Sequence, residues 1–396
     1  MNLDGIRILD LTQLLPGPYG SQLLADLGAE VIKVEPPGGD PARLFQELDG
    51  WAGYVFSAVN SHKSSVELDL KRERGREVFY ELVADADVVF EQFRPGVVDR
   101  LGIDYETLTE YNEDLVYCSL TGYGQDGPYA DRAGHDLNYV GVAGLADMTR
   151  TTRDGPPTGP GYPIADMTGG LLAATSIVSA LLSRELGNTG GTYIDLAMTD
   201  AVLSLGQVEV AMADAGLDPR PGETPIAGAF PWYDIYETSD GRHVTLAALE
   251  PRFWYAFCEA IDRPDLVEHH MTDDESEREW LREELADIFA TRSREEWDQR
   301  LGTVDDAMFG LVHTPAEAIE DPHVREREIL EETGEGHRRV RFPANVRSDD
   351  GTTVGQRESP PLESTVPALG EHTGQVLGEC GFTVAEIEQL REDDVI

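Results

Sequence analysis

One carboxylate, Asp166, stands in the stretch GYPIADMTGG (161–170), between an apolar run and two glycines. A long apolar segment follows, and its pattern predicts a helix over 169–185. An acid at a helix start is ordinarily an N-cap. Exposed amides at that position would also keep the acid ionised and let it act as a nucleophile. Gly169 and Gly170 would let those amides and a ligand come close, so the residues alone leave both roles open.

A second candidate, His135, lies about thirty residues earlier in AGHDLNY (133–139). By itself it fits either a hydrogen-bonded loop histidine or a general acid–base group. The stretch GYGQDG (122–127) is too short and wrongly placed for a dinucleotide fingerprint, so we expect no NAD. The three cysteines, Cys118, Cys258 and Cys380, have no metal-ligand or disulfide spacing, so we expect neither a bound metal nor a disulfide framework.

The elements that must position these groups alternate between strands and helices in the N-terminal third. The pattern predicts strands at 6–11, 30–37, 64–70, 87–93 and 114–124, with helices at 17–29 and 73–86. This order predicts an α/β fold with a parallel sheet and ligands at the carboxyl ends of its strands. The later segment 191–213 predicts one more strand that leads into a helix.

The composition of the chain shifts to Gly and Pro turns near 214–230. Residues 232–249 predict an antiparallel hairpin that turns at Ser239–Gly241, and helices follow to about 325. We therefore expect a large domain over 1–215, a smaller α+β domain over 216–328, and a C-terminal segment over 329–396 that returns to the large domain.

The chain has 75 acidic and 31 basic residues, a formal net charge of −44 at pH 7. Because the acids are spread along predicted helices, they indicate an acidic surface of the halophilic kind. Nucleic-acid binding is disfavoured, since no broad basic surface is present to meet phosphates. No charged-then-apolar leader opens the chain and no apolar run approaches ~20 residues, so we expect a cytoplasmic protein without a membrane partner.

A series of motifs in order along the chain resembles the family III CoA-transferases (CaiB/BaiF) and their relatives, the 2-methylacyl-CoA racemases. The motifs are NSHKSSVELDL, EQFRPGVVDRLGI, LVYCSLTGYGQDGPY, AGHDLNY, ADMTGG, YETSDGRHVTLAALEPRFW and GEHTGQVLGECGF. The resemblance implies a Rossmann-like large domain that carries CoA, a small domain that closes over the acyl end, and an interlocked homodimer. It implies an acyl-CoA thioester and a carboxylic acid as substrates.

The resemblance also implies roles for individual residues. Asp166 matches the catalytic aspartate of both branches: a nucleophile in the transferases, and in the racemases one of two bases, with His135 as the other. Glu250 and Asp136 match the racemase pattern, and Glu250 is carried over as catalytic. The matched motifs make the following residues candidates for binding CoA: Lys63, Arg94, Arg100, Tyr123 and Gly124.

Other residues depart from the racemase pattern. Tyr162 stands where racemases usually have Asn, the segment 227–230 reads AGAF, and 38–60 resembles the longer transferase form. We therefore predict a transferase of short-chain (di)carboxylic acids, for example from succinyl-CoA to mesaconate, with Arg43, Arg132 or His135 as candidates to pair with a distal carboxylate. A 2-methylacyl-CoA racemase is the alternative, and a non-catalytic CoA-binding protein, with Asp166 as a mere cap, is the second.

Overall fold

A computed structural model describes residues 2–45, 54–152, 154–224, 228–333, 337–344 and 366–396. The contacts divide the chain into two compact units. The first comprises residues 1–145, 160–206 and 327–396, and the second 146–159 and 207–326. The second unit thus begins at Gln207 rather than at residue 216, and it also takes in a short earlier segment.

The first unit is built on a six-stranded parallel sheet with the order β3-β2-β1-β4-β5-β6. Its strands are β1 (Arg7–Asp10), β2 (Glu30–Glu35), β3 (Ser64–Glu67), β4 (Val88–Glu91), β5 (Val116–Thr121) and β6 (Thr192–Ala197). Strands β4 and β5 are buried at every residue, which is typical of a parallel sheet covered on both faces. The predicted α/β fold with a parallel sheet is confirmed, and the strand order is that of a doubly wound Rossmann sheet.

The helices of the first unit cover this sheet. They are α1 (Pro16–Asp26), α2 (Pro41–Phe45), α3 (Val55–Val59), α4 (Glu73–Ala84), α5 (Val97–Leu101), α6 (Tyr105–Leu108), α7 (Asp136–Val142), α8 (Ile164–Glu185) and α9 (Met198–Leu205). The sheet residues Leu9, Ile32 and Val89 share one apolar core with Phe79 of α4.

The second unit carries its own core. It contains α10 (Gln207–Asp214), β7 (Tyr233–Glu237), β8 (His243–Ala247), α11 (Pro251–Ala260), α12 (Glu275–Phe289), α13 (Arg294–Leu301), β9 (Phe309–Leu311), α14 (Pro315–Ala318) and α15 (Pro322–Glu326), with 3-10 helices at Asp147–Thr149 and Pro264–His269. Strands β7, β8 and β9 form an antiparallel sheet, which confirms the predicted hairpin. Trp232, Trp254 and Trp297 are buried in this core.

The C-terminal segment belongs to the first unit. It forms β10 (Leu330–Glu332), β11 (Arg338–Val340), α16 (Thr373–Glu379) and α17 (Val384–Glu392). Leu377 and Leu390 from the two helices join the apolar core of the sheet. Burial of apolar residues from the C-terminal segment therefore helps to stabilise the first unit, which also contains the N-terminal strands.

Helix α8 is the one helix of the described residues that is long and apolar enough to meet the length and composition criteria for a membrane span. Less than half of the most apolar part of this helix is buried. This corrects the expectation that no apolar run approaches the length of a span. Core helices of soluble proteins meet the same criteria, so the finding is weak evidence for a membrane.

Candidate active site

A cavity of about 190 Å³ contains both Asp166 and His135. Its wall is formed where four strands end: Leu14 and Pro16 follow β1, residues 92–95 follow β4, residues 120–122 end β5, and Met198 follows β6. Strands β1 and β4 are the neighbours at which the strand order reverses. Ligands of doubly wound sheets bind at this switch point, outside the carboxyl ends of the strands, so this cavity is the candidate active site.

Asp166 is the third residue of helix α8, which begins at Ile164. The helix is capped from elsewhere in the chain, because Oδ1 of Asp136 accepts hydrogen bonds from the amides of Ala165 (2.7 Å) and Asp166 (3.1 Å). The interpretation of Asp166 as the N-cap is therefore wrong. Asp136 satisfies the first amides of the helix, and Asp166 is one of the residues that line the cavity.

The environment of Asp166 also changes its protonation. Burial, and to a smaller extent the nearby charge of Asp136, raise the pKa of Asp166 to about 7. We expected exposed helix amides to keep Asp166 ionised, whereas its surroundings raise its pKa. The amides that would stabilise the Asp166 carboxylate already donate their hydrogen bonds to Asp136.

The two glycines after Asp166 serve helix packing. A Cβ on Gly170 would lie 2.3 Å from the carbonyl oxygen of Pro16, and one on Gly20 would lie 2.7 Å from the carbonyl oxygen of Gly170. A Cβ on Gly169 would meet Met198 at 2.8 Å. Gly170 thus lets α8 cross α1 closely, and Gly169 leaves room for Met198. The approach of a ligand to these glycines stays a prediction.

His135 immediately precedes α7 and lines the same cavity. Its backbone amide donates to Oδ1 of Asn138 (2.9 Å), which fixes the entry into the helix. His135 is exposed, and a capping box links it to Asn138 at the start of α7. Its position in the lining and its exposure place it within reach of a substrate.

Two arginines complete the polar wall of the cavity, Arg94 and Arg132. Arg94 follows the end of β4, where Oε2 of the buried Glu91 accepts from the amide of Phe93 (2.7 Å) and shapes the turn. Neither arginine forms an ion pair with a described residue. Arg43, another candidate for a distal carboxylate, is instead bound to Glu35 through two hydrogen bonds (2.7 and 2.6 Å), which occupy its charge.

Lys63 does not reach the cavity. Its side chain is 0% exposed, and Nζ donates to Asp10 (3.1 Å), to Ser21 (2.8 Å), to the carbonyl of Pro18 (3.0 Å) and to Asn60 (2.9 Å). A buried ammonium with four acceptors has no donor left for a phosphate. In this structure Lys63 supports the buried residues around it, and its contact with CoA stays a prediction that this geometry does not favour.

The buried charges around Lys63 support the first loop of the cavity. Lys33 pairs with Asp40 (2.9 Å), and both carboxylate oxygens of Asp40 accept from the amide of Leu14 (3.1 and 3.2 Å). Leu14 has a φ of 64°, a left-handed conformation that is costly for a leucine. Asp40 thus stabilises the strained backbone of Leu14, which lines the cavity.

Three further predicted CoA contacts lie outside the lining of this cavity. Arg100 is exposed on α5, and Gly124 has a φ of 86° and donates its amide to Oγ1 of Thr121 (2.9 Å). The ring of Tyr123 packs edge-on against Tyr139, which does line the cavity, at 5.1 Å between ring centres. Contact of Arg100, Tyr123 and Gly124 with CoA stays a prediction.

Two other sequence predictions concern positions away from the cavity. Glu250 belongs to the second unit, where it is exposed and immediately precedes α11, and it is not among the residues that line the cavity. Its catalytic role stays a prediction. Of the positions that depart from the racemase pattern, Tyr162 is exposed. The segment 227–230 is described except for Ala227, which lies outside the described residues.

A second cavity, of about 380 Å³, lies beside the first along the same edge of the sheet. It is lined by residues that follow β1, β2 and β3, among them Gln13, Pro37 and Lys71. Phe93 lines both cavities. The carboxyl edge of the sheet therefore offers two adjoining sites, and sequence reasoning missed Lys71, which no motif marked. Among the described residues, no group of three or more His, Cys, Asp or Glu side chains could hold a metal ion.

Comparisons with known proteins show which family resembles this chain. The model of CoA-transferase family III matches residues 3–373. A succinyl-CoA:mesaconate CoA-transferase of Haloarcula hispanica is 36% identical over 96% of this chain and 96% of its own length. An alpha-methylacyl-CoA racemase of Mus musculus is 34% identical over 100% of this chain and 98% of its own. The crystal structure of a CAIB/BAIF family protein from Brucella suis has a TM-score of 0.79 at 31% identity, covering 96% of this chain and 99% of that one.

Proposed function

This chain belongs to CoA-transferase family III, and from that membership we propose that it moves CoA between short-chain carboxylic acids, with Asp166 as the nucleophile. The observation that carries the proposal is the surroundings of Asp166. Its carboxylate lines a small cavity together with two arginines that have no ion pair among the described residues. Such a cavity suits a second, anionic substrate. The substrates named for the Haloarcula relative, succinyl-CoA and mesaconate, support the same class of acid.

The proposed reaction proceeds in balanced steps. The Asp166 carboxylate attacks the thioester carbonyl, the carbon–sulfur bond breaks, and a mixed anhydride and CoA thiolate result. The thiolate then attacks the Asp166 carbonyl of the anhydride, releasing the first acid and leaving an aspartyl-CoA thioester. A second carboxylate attacks this thioester, and the freed thiolate takes the new acyl group from the resulting anhydride. Each step exchanges one activated acyl bond for another.

The environment of Asp166 favours these intermediates. Burial and the charge of Asp136 disfavour the ionised carboxylate, as the pKa of about 7 for Asp166 indicates. Acylation of Asp166 removes its negative charge. The same surroundings that disfavour the carboxylate therefore favour the anhydride and the thioester relative to the free acid group.

The two cavities support a placement of the acyl-CoA along the carboxyl edge of the sheet. We propose that the thioester lies in the first cavity, against Asp166, and the nucleotide in the second. Lys71 lines the second cavity, and Arg94 follows Phe93, which lines both. Both cations are thus available to phosphate oxygens in this placement.

The position of His135 favours one alternative. His135 and Asp166 line the same cavity, as a two-base racemase of 2-methylacyl-CoA requires, and both racemase and transferase relatives have similar identity to this chain. The other alternative, a non-catalytic CoA-binding protein, relied on Asp166 as a helix cap. It loses support because Asp136 accepts the helix amides instead.

Incubation in deuterated, salt-rich buffer separates these functions. The protein is given succinyl-CoA, a 2-methylacyl-CoA and a panel of small carboxylates, and mass spectrometry follows every CoA ester. We expect new CoA esters without carbon-bound deuterium. Deuterium at C2 of the 2-methylacyl ester, with no new ester, would instead establish the racemase.

We further propose that the protein acts as a cytoplasmic homodimer. One face of α8 carries Leu171, Thr175, Ser179 and Leu182, and Leu186 follows directly after the helix; all are exposed in the single chain. The hydroxyls of Thr175 and Ser179 are satisfied within the helix by carbonyls four residues earlier (2.8 Å each). In a chain with a net charge of −44, a stripe without any carboxylate suits contact with a second copy.

A further inference from the structure

The loop between β5 and α7 carries Arg132 to the wall of the cavity on a platform of tyrosines. The guanidinium carbon of Arg132 lies 3.7 Å from the centre of the Tyr129 ring. That ring packs edge-on against Tyr123 (5.7 Å), and Tyr123 against Tyr139 (5.1 Å), which itself lines the cavity. The amide of Arg132 also donates to the carbonyl of Tyr129 (2.8 Å). The guanidinium is therefore held in place by aromatic contacts.

These contacts hold Arg132 without neutralising its charge. The chain has 75 acidic residues, yet Arg132 has no ion pair among the described residues. Of the described residues that line the cavity, Asp166 is the one carboxylate. A planar cation with no ion pair, in the same cavity as a reacting carboxylate, suits a ligand with a carboxylate of its own.

The two arginines of the cavity come from different segments of the chain. Arg94 follows Phe93, the residue that lines both cavities, whereas Arg132 lies on the segment that also carries His135. Neither arginine is among the described residues that line the second cavity. Arg132 therefore belongs to the cavity proposed for the thioester, on the same segment as His135.

We propose that Arg132 binds the distal carboxylate of a dicarboxylic substrate and thereby selects short dicarboxylic acids over monocarboxylic acids. This inference rests on the proposed transferase function. In this arrangement one carboxyl group of the substrate contacts Asp166. The other carboxylate accepts two parallel hydrogen bonds from the guanidinium of Arg132. The cavity of about 190 Å³ is smaller than the ~300–1,000 Å³ of typical ligand pockets, which favours short chains.

Arg132→Gln tests this selection with two matched substrate pairs. Transfer from succinyl-CoA to mesaconate uses dicarboxylic acids, and transfer from butyryl-CoA to crotonate uses monocarboxylic acids of similar length. We expect Arg132→Gln to lower kcat/KM for the dicarboxylic pair about 10- to 100-fold, since a charge-assisted hydrogen bond is lost. We expect the rate of the monocarboxylic pair to change less than twofold, and Arg132→Lys to lose less than Arg132→Gln.

Arg292→Gln is the matched control, because Arg292 also stacks on an aromatic ring, that of Trp297 (5.0 Å), in the other unit. It should leave both pairs unchanged. Dicarboxylic transfer at the wild-type rate in Arg132→Gln, or an equal loss for both pairs, would overturn the role of Arg132 while leaving the transferase function intact. Absence of transfer with either pair in the wild-type protein would overturn the transferase function itself.

Discussion

Asp136 has two effects on Asp166, and they can be separated experimentally. It accepts the first amides of α8, and its charge raises the pKa of Asp166. The substitution Asp136→Asn removes the charge and keeps an amide oxygen as an acceptor. It therefore tests the electrostatic effect with little change in the cap.

We predict that Asp136→Asn shifts the acid limb of the pH profile to lower pH. A nucleophilic carboxylate must be ionised, so wild-type kcat/KM should fall as the pH drops through about 7, the pKa of Asp166. Burial remains the larger cause in the variant, so the limb should move only part of the way toward the ordinary pKa of aspartate. Asp104→Asn, which replaces the N-cap of α6, should leave the profile unchanged. An unshifted acid limb in Asp136→Asn would contradict the electrostatic role.

Among the secondary-structure elements, those with a local signal were predictable. Short apolar runs bounded by Pro or Gly turns predicted strands β1, β2 and β4 to within a few residues of their observed ends. The start of α8 at Ile164 was missed because its cap comes from Asp136, far back in the chain. The motifs did mark Asp166, His135 and Arg94, which line the cavity. Local sequence did not reveal that Lys63 lies in a buried network of charges, because a charged partner in that network is distant in the chain.

We predict that Gly170→Ala destabilises the protein, although alanine normally favours a helix over glycine by ~1 kcal/mol. The added Cβ would lie 2.3 Å from the backbone oxygen of Pro16, so α1 and α8 must separate. Such overpacking costs about 1–3 kcal/mol of unfolding free energy, measured by chemical denaturation. Gly378→Ala in α16 meets nothing within 4 Å and should be neutral or stabilising. Equal stability changes for the two variants would refute the close helix crossing.

For the whole molecule, the net charge of −44 predicts stability that depends on salt. Repulsion among exposed carboxylates weakens as the screening length falls from about 8 Å at 0.15 M to about 3 Å at 1 M ionic strength. We predict that the Tm rises steadily with KCl over this range, and that osmotically matched sucrose gives a smaller rise. A flat or falling Tm in KCl would show that surface repulsion does not limit this fold.

The same high charge makes the carboxylate-free stripe of α8 the surface to test for self-association. We predict a homodimer by light scattering in high salt, and loss of the dimer in Leu182→Glu, which places a carboxylate on the stripe. Val384→Glu, at an exposed apolar residue of α17, is the control and should leave the mass unchanged. A wild-type monomer, or a dimer that persists in Leu182→Glu, would exclude this face.

The most direct test of covalent transfer is the mass of the peptide that contains Asp166. The protein is mixed with succinyl-CoA without an acceptor, quenched in acid and digested. The proposed mechanism predicts a CoA adduct on this peptide, removed when mesaconate is added before the quench, and neither adduct nor transfer in Asp166→Ala. An unmodified peptide, together with undiminished transfer in Asp166→Ala, would contradict the central role of this carboxylate.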